Sequence, residues 1–242
     1  MGFLDAIGLG GGTKEQKLKT KLLQKYGPPE NRQKAIEQLR ELGTDEALRV
    51  LLLRFTLRVE PSITDHDEKN RVMEIVNDFG ERSVPALKEF LAERDEVAFA
   101  ITALSELVDE AAVVSAACDV LDKEANTHVR DPEKRVQLMR HLRDHKHERI
   151  VPTCLPFVGD LADDVKLAAL EAITAQGADE RGRETIINAL IAAHGESNNR
   201  VRETAATALE QTGLLVTGFR PKVEAALPVG FVVDREGRVK KK

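Results

Sequence analysis

The sequence predicts an all-α fold, an α-solenoid of about six helical hairpins, and three observations carry that expectation. Aromatic residues make up only 4% of the 242 residues and tryptophan is absent, whereas Ala, Leu, Glu and Arg, which favour helices over strands, are abundant. An apolar doublet followed by a third apolar residue, four positions after its first member, recurs six times. The triplets are Ala35, Ile36, Leu39; Val72, Met73, Val76; Ala100, Ile101, Leu104; Leu138, Met139, Leu142; Ala169, Leu170, Ile173; and Ala205, Ala206, Leu209. Their spacing of 28 to 38 residues is the period of a helical-hairpin array. Finally, ERSVPALKEFL at residues 81–91 returns as ERIVPTCLPFV at 148–158, with Glu, Arg, Val, Pro and Phe in register.

Residues 1–27 divide into an apolar tip, MGFLDAIGL, a run of glycines, and the basic helix TKEQKLKTKLLQKYG. The helix is expected to cap the array, because terminal repeats need a polar outer face. The alternative is that Phe3, Leu4, Ile7 and Leu9 form a docking peptide, too short to insert in a membrane on its own. Residues 28–217 hold the repeats. Positions i, i+1 and i+4 of a helix lie within about 100° of one another, so each triplet makes one apolar stripe that must be buried against a neighbour. Gly43, Gly80, Gly177 and Gly213 each fall eight residues after a doublet begins, where a glycine can end a helix. Between these helices lie the first helices of the hairpins: DEALRVLLLRF from Asp45, ERSVPALKEFL, DEAAVVSAACDVL from Asp109, ERIVPTCLPFV, and DERGRETIINALIAA from Asp179. All five open with an acid, which complements the positive end of the helix dipole. Pro85 and Pro152 fall near the first turn, where a missing N–H costs little. Residues 218–242 form the tail. After PKVEAALP the helical pattern stops, and two short β-branched runs around DREG suggest a hairpin that packs on the last repeat as a cap.

The Val-Pro starts at Val84 and Val151, and the stretch VRETAATALEQTG from Val201 with its echo VKLAALEAITAQG from Val165, resemble the HEAT-repeat family. The likeness is to its short bacterial type, once named for phycobilisome lyases, and it covers roughly residues 28–217. The resemblance implies that the second helices line a concave side. It also implies a ladder of basic residues three before each doublet, bonded to acids of adjacent turns: here Arg32, Lys69, Arg135, Lys166 and Arg202. Val97 departs from that pattern, so the ladder should break there and the stacking should change.

A net charge of −5 opposes general affinity for nucleic acid, whose phosphates must be met by an excess of Lys and Arg. No stretch approaches the roughly 18 apolar residues of a membrane span. MGFLDAIGL lacks the basic start of a secretion signal, and Cys118 and Cys154 lack metal or redox spacing. A cytoplasmic protein is therefore expected. His141 and His145 stand one helical turn apart, a spacing that can grip a metal, but Arg140, Arg143 and Arg149 crowd them and favour a basic patch instead. The di-iron hydroxylases built from HEAT repeats use several His-Glu pairs and this chain has one, His147-Glu148; the HEAT-like DNA glycosylases need aromatic platforms, and Tyr26 is the sole tyrosine. No catalytic, cofactor-binding or metal residue is thus expected, and the predicted role is a non-catalytic scaffold that binds a protein partner on its concave surface. The alternatives are a chromophore-lyase-like enzyme subunit and, further off, a nucleic-acid-binding HEAT-like protein. Two and six positions after each doublet begins, residues should point away from the stripe. These are Glu37, Glu41, Glu74, Asp78, Thr102 and Glu106, an acidic ridge suited to a basic segment. Arg140 and Arg143 then reverse the sign, and Glu171, Thr174, Thr207 and Gln211 are mixed. At about 10 Å per helix, the expected groove is on the order of 50 Å long.

Overall fold

In the computed structural model, residues 13–125, 127, 129, 131–177 and 179–242 are described. The apolar tip with Phe3, Leu4, Ile7 and Leu9, and the glycines after it, lie outside them. The chain forms two compact units, one running to Val108 and one from Asp109 to Lys242. Among the described residues there are thirteen α-helices and one small two-stranded sheet.

The first unit holds α1 (Lys14–Leu22), α2 (Pro29–Leu42), α3 (Asp45–Leu52), α4 (Ser62–Asp78), α5 (Val84–Glu93) and α6 (Ala98–Leu107). Each odd helix packs on the even helix that follows it. In addition α1, α3 and α5 pack in one row and α2, α4 and α6 in another. The second unit repeats this plan with α7 (Glu110–Glu124), α8 (Glu133–Arg143), α9 (Ile150–Cys154), α10 (Asp163–Gln176), α11 (Glu180–Gly195), α12 (Asn199–Thr212) and α13 (Arg220–Ala226). There α7, α9, α11 and α13 form one row, and α8, α10 and α12 the other. Each even helix carries one of the six apolar triplets. The division between the units falls just after α6, the helix whose basic position is taken by the fully buried Val97.

Five of the six triplets are buried throughout. The exception is in α4, where Met73 is half-buried and Ile75 is fully buried beside Val72 and Val76. At 100° per residue this turns the inner face of α4 by roughly 50° from the predicted one, toward Glu68, whose carboxylate is itself in the core.

Helix ends follow the sequence closely. Gly43 and Gly213 close α2 and α12 in the left-handed region, with φ of 58° and 65°. Thr44, Asp109 and Asp179 cap α3, α7 and α11 by accepting hydrogen bonds from the backbone N–H of Ala47, Ala112 and Arg181. The two related segments do open helices at the same place, Val84 with Pro85 in α5 and Ile150 with Pro152 close behind in α9. Their lengths differ. A second proline, Pro156, has no N–H to donate to the carbonyl four residues before it, and α9 stops at Cys154, passing into a 3-10 turn from Leu155 to Gly159.

The tail is not extended throughout, since α13 occupies its first part. Then β1 (Phe231–Val233) pairs antiparallel with β2 (Val239–Lys241), Val232 opposite Lys240. The hairpin lies on α12 and α13, with Val239 fully buried and the backbone N–H of Val216 bonded to the carbonyl of Gly237 at 2.8 Å. It covers the end of the second unit, as a cap would.

Candidate partner-binding surface

The outward positions on α2, α4 and α6 carry Glu37, Glu41, Glu74, Asp78 and Glu106, but the expected acidic ridge is not continuous. Arg71 lies within it, its Nε 2.7 Å from Glu37 Oε1 and its Nη1 2.9 Å from Glu74 Oε2. Arg40 reaches Glu37 as well, at 3.2 Å. The Arg71 guanidinium bonded to Glu37 holds that carboxyl below the usual carboxylate range, and Arg71 is correspondingly raised. Glu106 accepts a hydrogen bond from the Asn77 amide, tying α6 to α4. Glu41 and Asp78 are exposed. Between α2 and α4 this leaves a cleft of about 260 Å³ lined by Gln33, Ile36, Glu37, Asp67, Glu68 and Arg71.

In the second unit the prediction of a mixed surface holds more closely. Arg143, Glu171, Thr174, Thr207 and Gln211 line a single cleft of about 440 Å³ across α8, α10 and α12, with Glu203 and Thr204. Arg143 donates to Asp144 at 3.1 Å and lies 3.5 Å from Glu171. Arg140 is exposed on α8 but does not line the cleft. The cleft offers hydroxyls, an amide, carboxylates and one guanidinium, a set suited to hydrogen-bonding a polypeptide.

The basic residues before the doublets are mostly taken inside. Arg32 is buried, with Nε 2.9 Å from Glu68 and Nη1 donating to the carbonyls of Gln24 and Gly27. Glu68 also accepts from Arg54 at 2.7 Å. Arg54 continues to Asp65 at 2.8 Å and to the Leu57 carbonyl, and Asp65 bonds Lys69 at 2.8 Å. Burial pushes the Asp65 carboxyl up, but bonds from Lys69, Arg54 and the Val59 N–H outweigh it, leaving it below its ordinary value. In the second unit Arg135 meets Glu124 at 3.3 Å and Asp160 at 2.8 Å, while Lys134 pairs with Glu124 at 2.9 Å. Lys166 pairs with Asp163, and Arg202 donates to the carbonyls of Ala226 and Leu227 at the end of α13. Arg54, Glu68 and Asp65 had no signal as a group in the sequence. An arginine inside LLLRF was the one visible irregularity.

The histidine-rich stretch forms a junction between α7 and α8. Helix α8 ends at Arg143, so His145 is not on the helix that carries His141, as its spacing had suggested. Even so the ring centroids stand 4.6 Å apart, and His145 Nδ1 lies 3.0 Å from Glu110 Oε1. The expected basic patch is largely committed: Arg149 bonds Ser115, Asp119 and Asp122 of α7. Among the described residues no group of three or more His, Cys, Asp or Glu could hold a metal ion. Nε2 of His141 is buried with no hydrogen-bond partner. Burial, then the neighbouring His145, pull the His141 pKa below its ordinary value. The unfolded chain therefore takes up this proton more readily than the folded one, so stability should be full above about pH 6.5 and fall as pH drops below it. Thermal melts between neutral and mildly acidic pH should show this slope, and His141→Leu should flatten it.

Cys118 and Cys154 are fully buried on the packed helices α7 and α9, and burial raises both thiols above their ordinary range. No helix among the described residues is long and apolar enough to cross a membrane. No protein-family model matches the chain, and no curated protein matches it.

Proposed function

We propose that the chain is built of about six HEAT-like hairpins and acts as a non-catalytic scaffold that binds a protein partner along its even-numbered helices. The hairpins would be α1 with α2, α3 with α4, α5 with α6, α7 with α8, α9 with α10, and α11 with α12, each a pair in contact. The observation that carries the reading is the cleft across α8, α10 and α12, where side chains from three successive even helices converge on one polar, mixed-charge surface. Glu41 and Asp78 on the first unit would serve a basic segment of the partner, and electrostatic complementarity of this kind gives specificity and on-rate more than raw affinity. The compartment in this reading is the cytoplasm, where the two buried thiols stay reduced.

Affinity capture of the tagged full chain, with mass spectrometry of what it retains, tests the reading when run beside two charge-reversed variants, Glu41→Lys/Asp78→Lys and Arg140→Glu/Arg143→Glu. A polypeptide retained by the wild type and reduced at least about tenfold in one variant, with both variants melting normally, is the expected result. Retention unchanged in both would defeat the assignment of this surface.

A further inference from the structure

The cleft across α8, α10 and α12 offers a partner more negative charge than positive. Its lining holds two carboxylates, Glu171 and Glu203, against one guanidinium, that of Arg143. Arg143 is already engaged, donating to Asp144 at 3.1 Å and standing 3.5 Å from Glu171. Glu203 is exposed, and among the described residues it forms no ion pair. The hydroxyls of Thr204 and Thr207 and the amide of Gln211 have no hydrogen-bond partner among the described residues either, whereas the Thr174 hydroxyl donates to the Leu170 carbonyl. Along α12, Glu203, Thr207 and Gln211 follow one another at intervals of four residues, about 6 Å of helix rise. Alternate side chains of an extended chain point to the same face and stand about 6.6 Å apart. A strand laid along α12 therefore meets all three with every second residue. Glu171 and Ala175 of α10 are spaced in the same way, and the small side chains of Ala175 and Ala208 in the lining let a backbone come close.

Resting on the scaffold reading of this same surface, we propose that the cleft holds an extended polypeptide segment whose lysine or arginine side chain sits between Glu171 and Glu203. An extended chain leaves backbone N–H and C=O groups unpaired, and the Thr204 and Thr207 hydroxyls and the Gln211 amide are there to bond them. A helix pairs its own backbone groups and would leave these side chains unused. With the base over Glu203, the residues two and four positions further along the segment face Thr207 and Gln211, where polar side chains fit best. Acidic segments are disfavoured, since like charges set against each other select against the wrong partner. The ion pairs formed are exposed to water, so each contributes at most about fivefold in affinity. Selectivity comes from the alternating pattern as well as from charge.

Selection of phage-displayed random peptides on the intact protein tests this, followed by fluorescence anisotropy of synthetic copies of the enriched peptides. Enriched peptides should share a lysine or arginine with polar residues two and four positions away. They should bind Glu171→Gln/Glu203→Gln at least about fivefold more weakly than the wild type. Replacing the base by norleucine should weaken binding to the wild type and leave binding to that variant unchanged, because the two changes remove the same pair. Circular dichroism melts matching the wild type establish that the variant folds. Enrichment of peptides without a base, enrichment of acidic peptides, no enrichment, or affinities that the variant leaves unchanged overturns the proposal. If that happens while a charge-reversed chain still loses its captured polypeptide, the scaffold reading stands and the extended basic segment falls; if no capture is lost either, both fall.

Discussion

Replacing Glu68 with alanine should destabilise the protein by about 3–5 kcal/mol, because it leaves two buried guanidiniums without their shared counter-charge. Arg32 and Arg54 both donate to the Glu68 carboxylate, and all three residues are at most 2% exposed. Arg54 would keep Asp65 and the Leu57 carbonyl, and Arg32 its two carbonyls. Those bonds hold the guanidiniums in place, so the stranded charge stays buried. The contrasting variant is Arg32→Met/Arg54→Met/Glu68→Leu, which removes charge and counter-charge together. A buried ion cluster replaced by apolar side chains of similar volume is often neutral, so the triple variant should lose far less than Glu68→Ala alone. Chemical denaturation of the intact chain measures both. A triple variant as unstable as the single one would mean that the cluster stabilises by more than mutual neutralisation.

Much of this arrangement was legible in the sequence, and the parts that were not share a cause. Apolar periodicity reports the side of a helix that avoids water, and it located every even helix and the end of α2 and α12. The base at Arg32 was expected as well, from the resemblance to HEAT repeats and not from the periodicity. What periodicity cannot report is a polar residue on the inner side. Glu68 stands in ITDHDEKN, an apparently solvated stretch, and only the packing of α4 against α2 and the turn holding Arg54 turns it inward. The same blindness made the acidic ridge look unbroken. Arg71 lies one residue before the doublet, outside the outward positions that the helical wheel selects, yet its long side chain reaches back to Glu37 and Glu74. For α9, the repeat of the Val-Pro start was a sound guide to where the helix begins, while the proline at 156 decided where it ends. His145 shows the converse limit: its spacing from His141 fitted a helix, but α8 stops two residues earlier, and the rings meet through the turn.

A large apolar effect is expected at Ile75, and it separates two registers of α4. The doublet pattern puts Val72, Met73 and Val76 inward; the structure puts Ile75 inward instead and leaves Met73 half-buried. Ile75 is fully buried, so Ile75→Ala removes three carbons from a packed site between α4 and its neighbours and should cost about 2–5 kcal/mol. Met73→Ala removes a side chain that already meets solvent, and should cost no more than about 1 kcal/mol. Leu104→Ala serves as the reference, because pattern and structure agree that Leu104 is inside α6's packed face; it too should lose about 2–5 kcal/mol. The ordering matters more than the sizes. If Met73→Ala proved as damaging as Leu104→Ala while Ile75→Ala was mild, α4 would sit roughly 50° from the rotation described. Glu68 would then turn away from Arg32 and Arg54, and the cost expected for Glu68→Ala would shrink with it. The two measurements are therefore coupled through a single helix rotation, and large losses at both Glu68 and Ile75 are what the inward face of α4 requires.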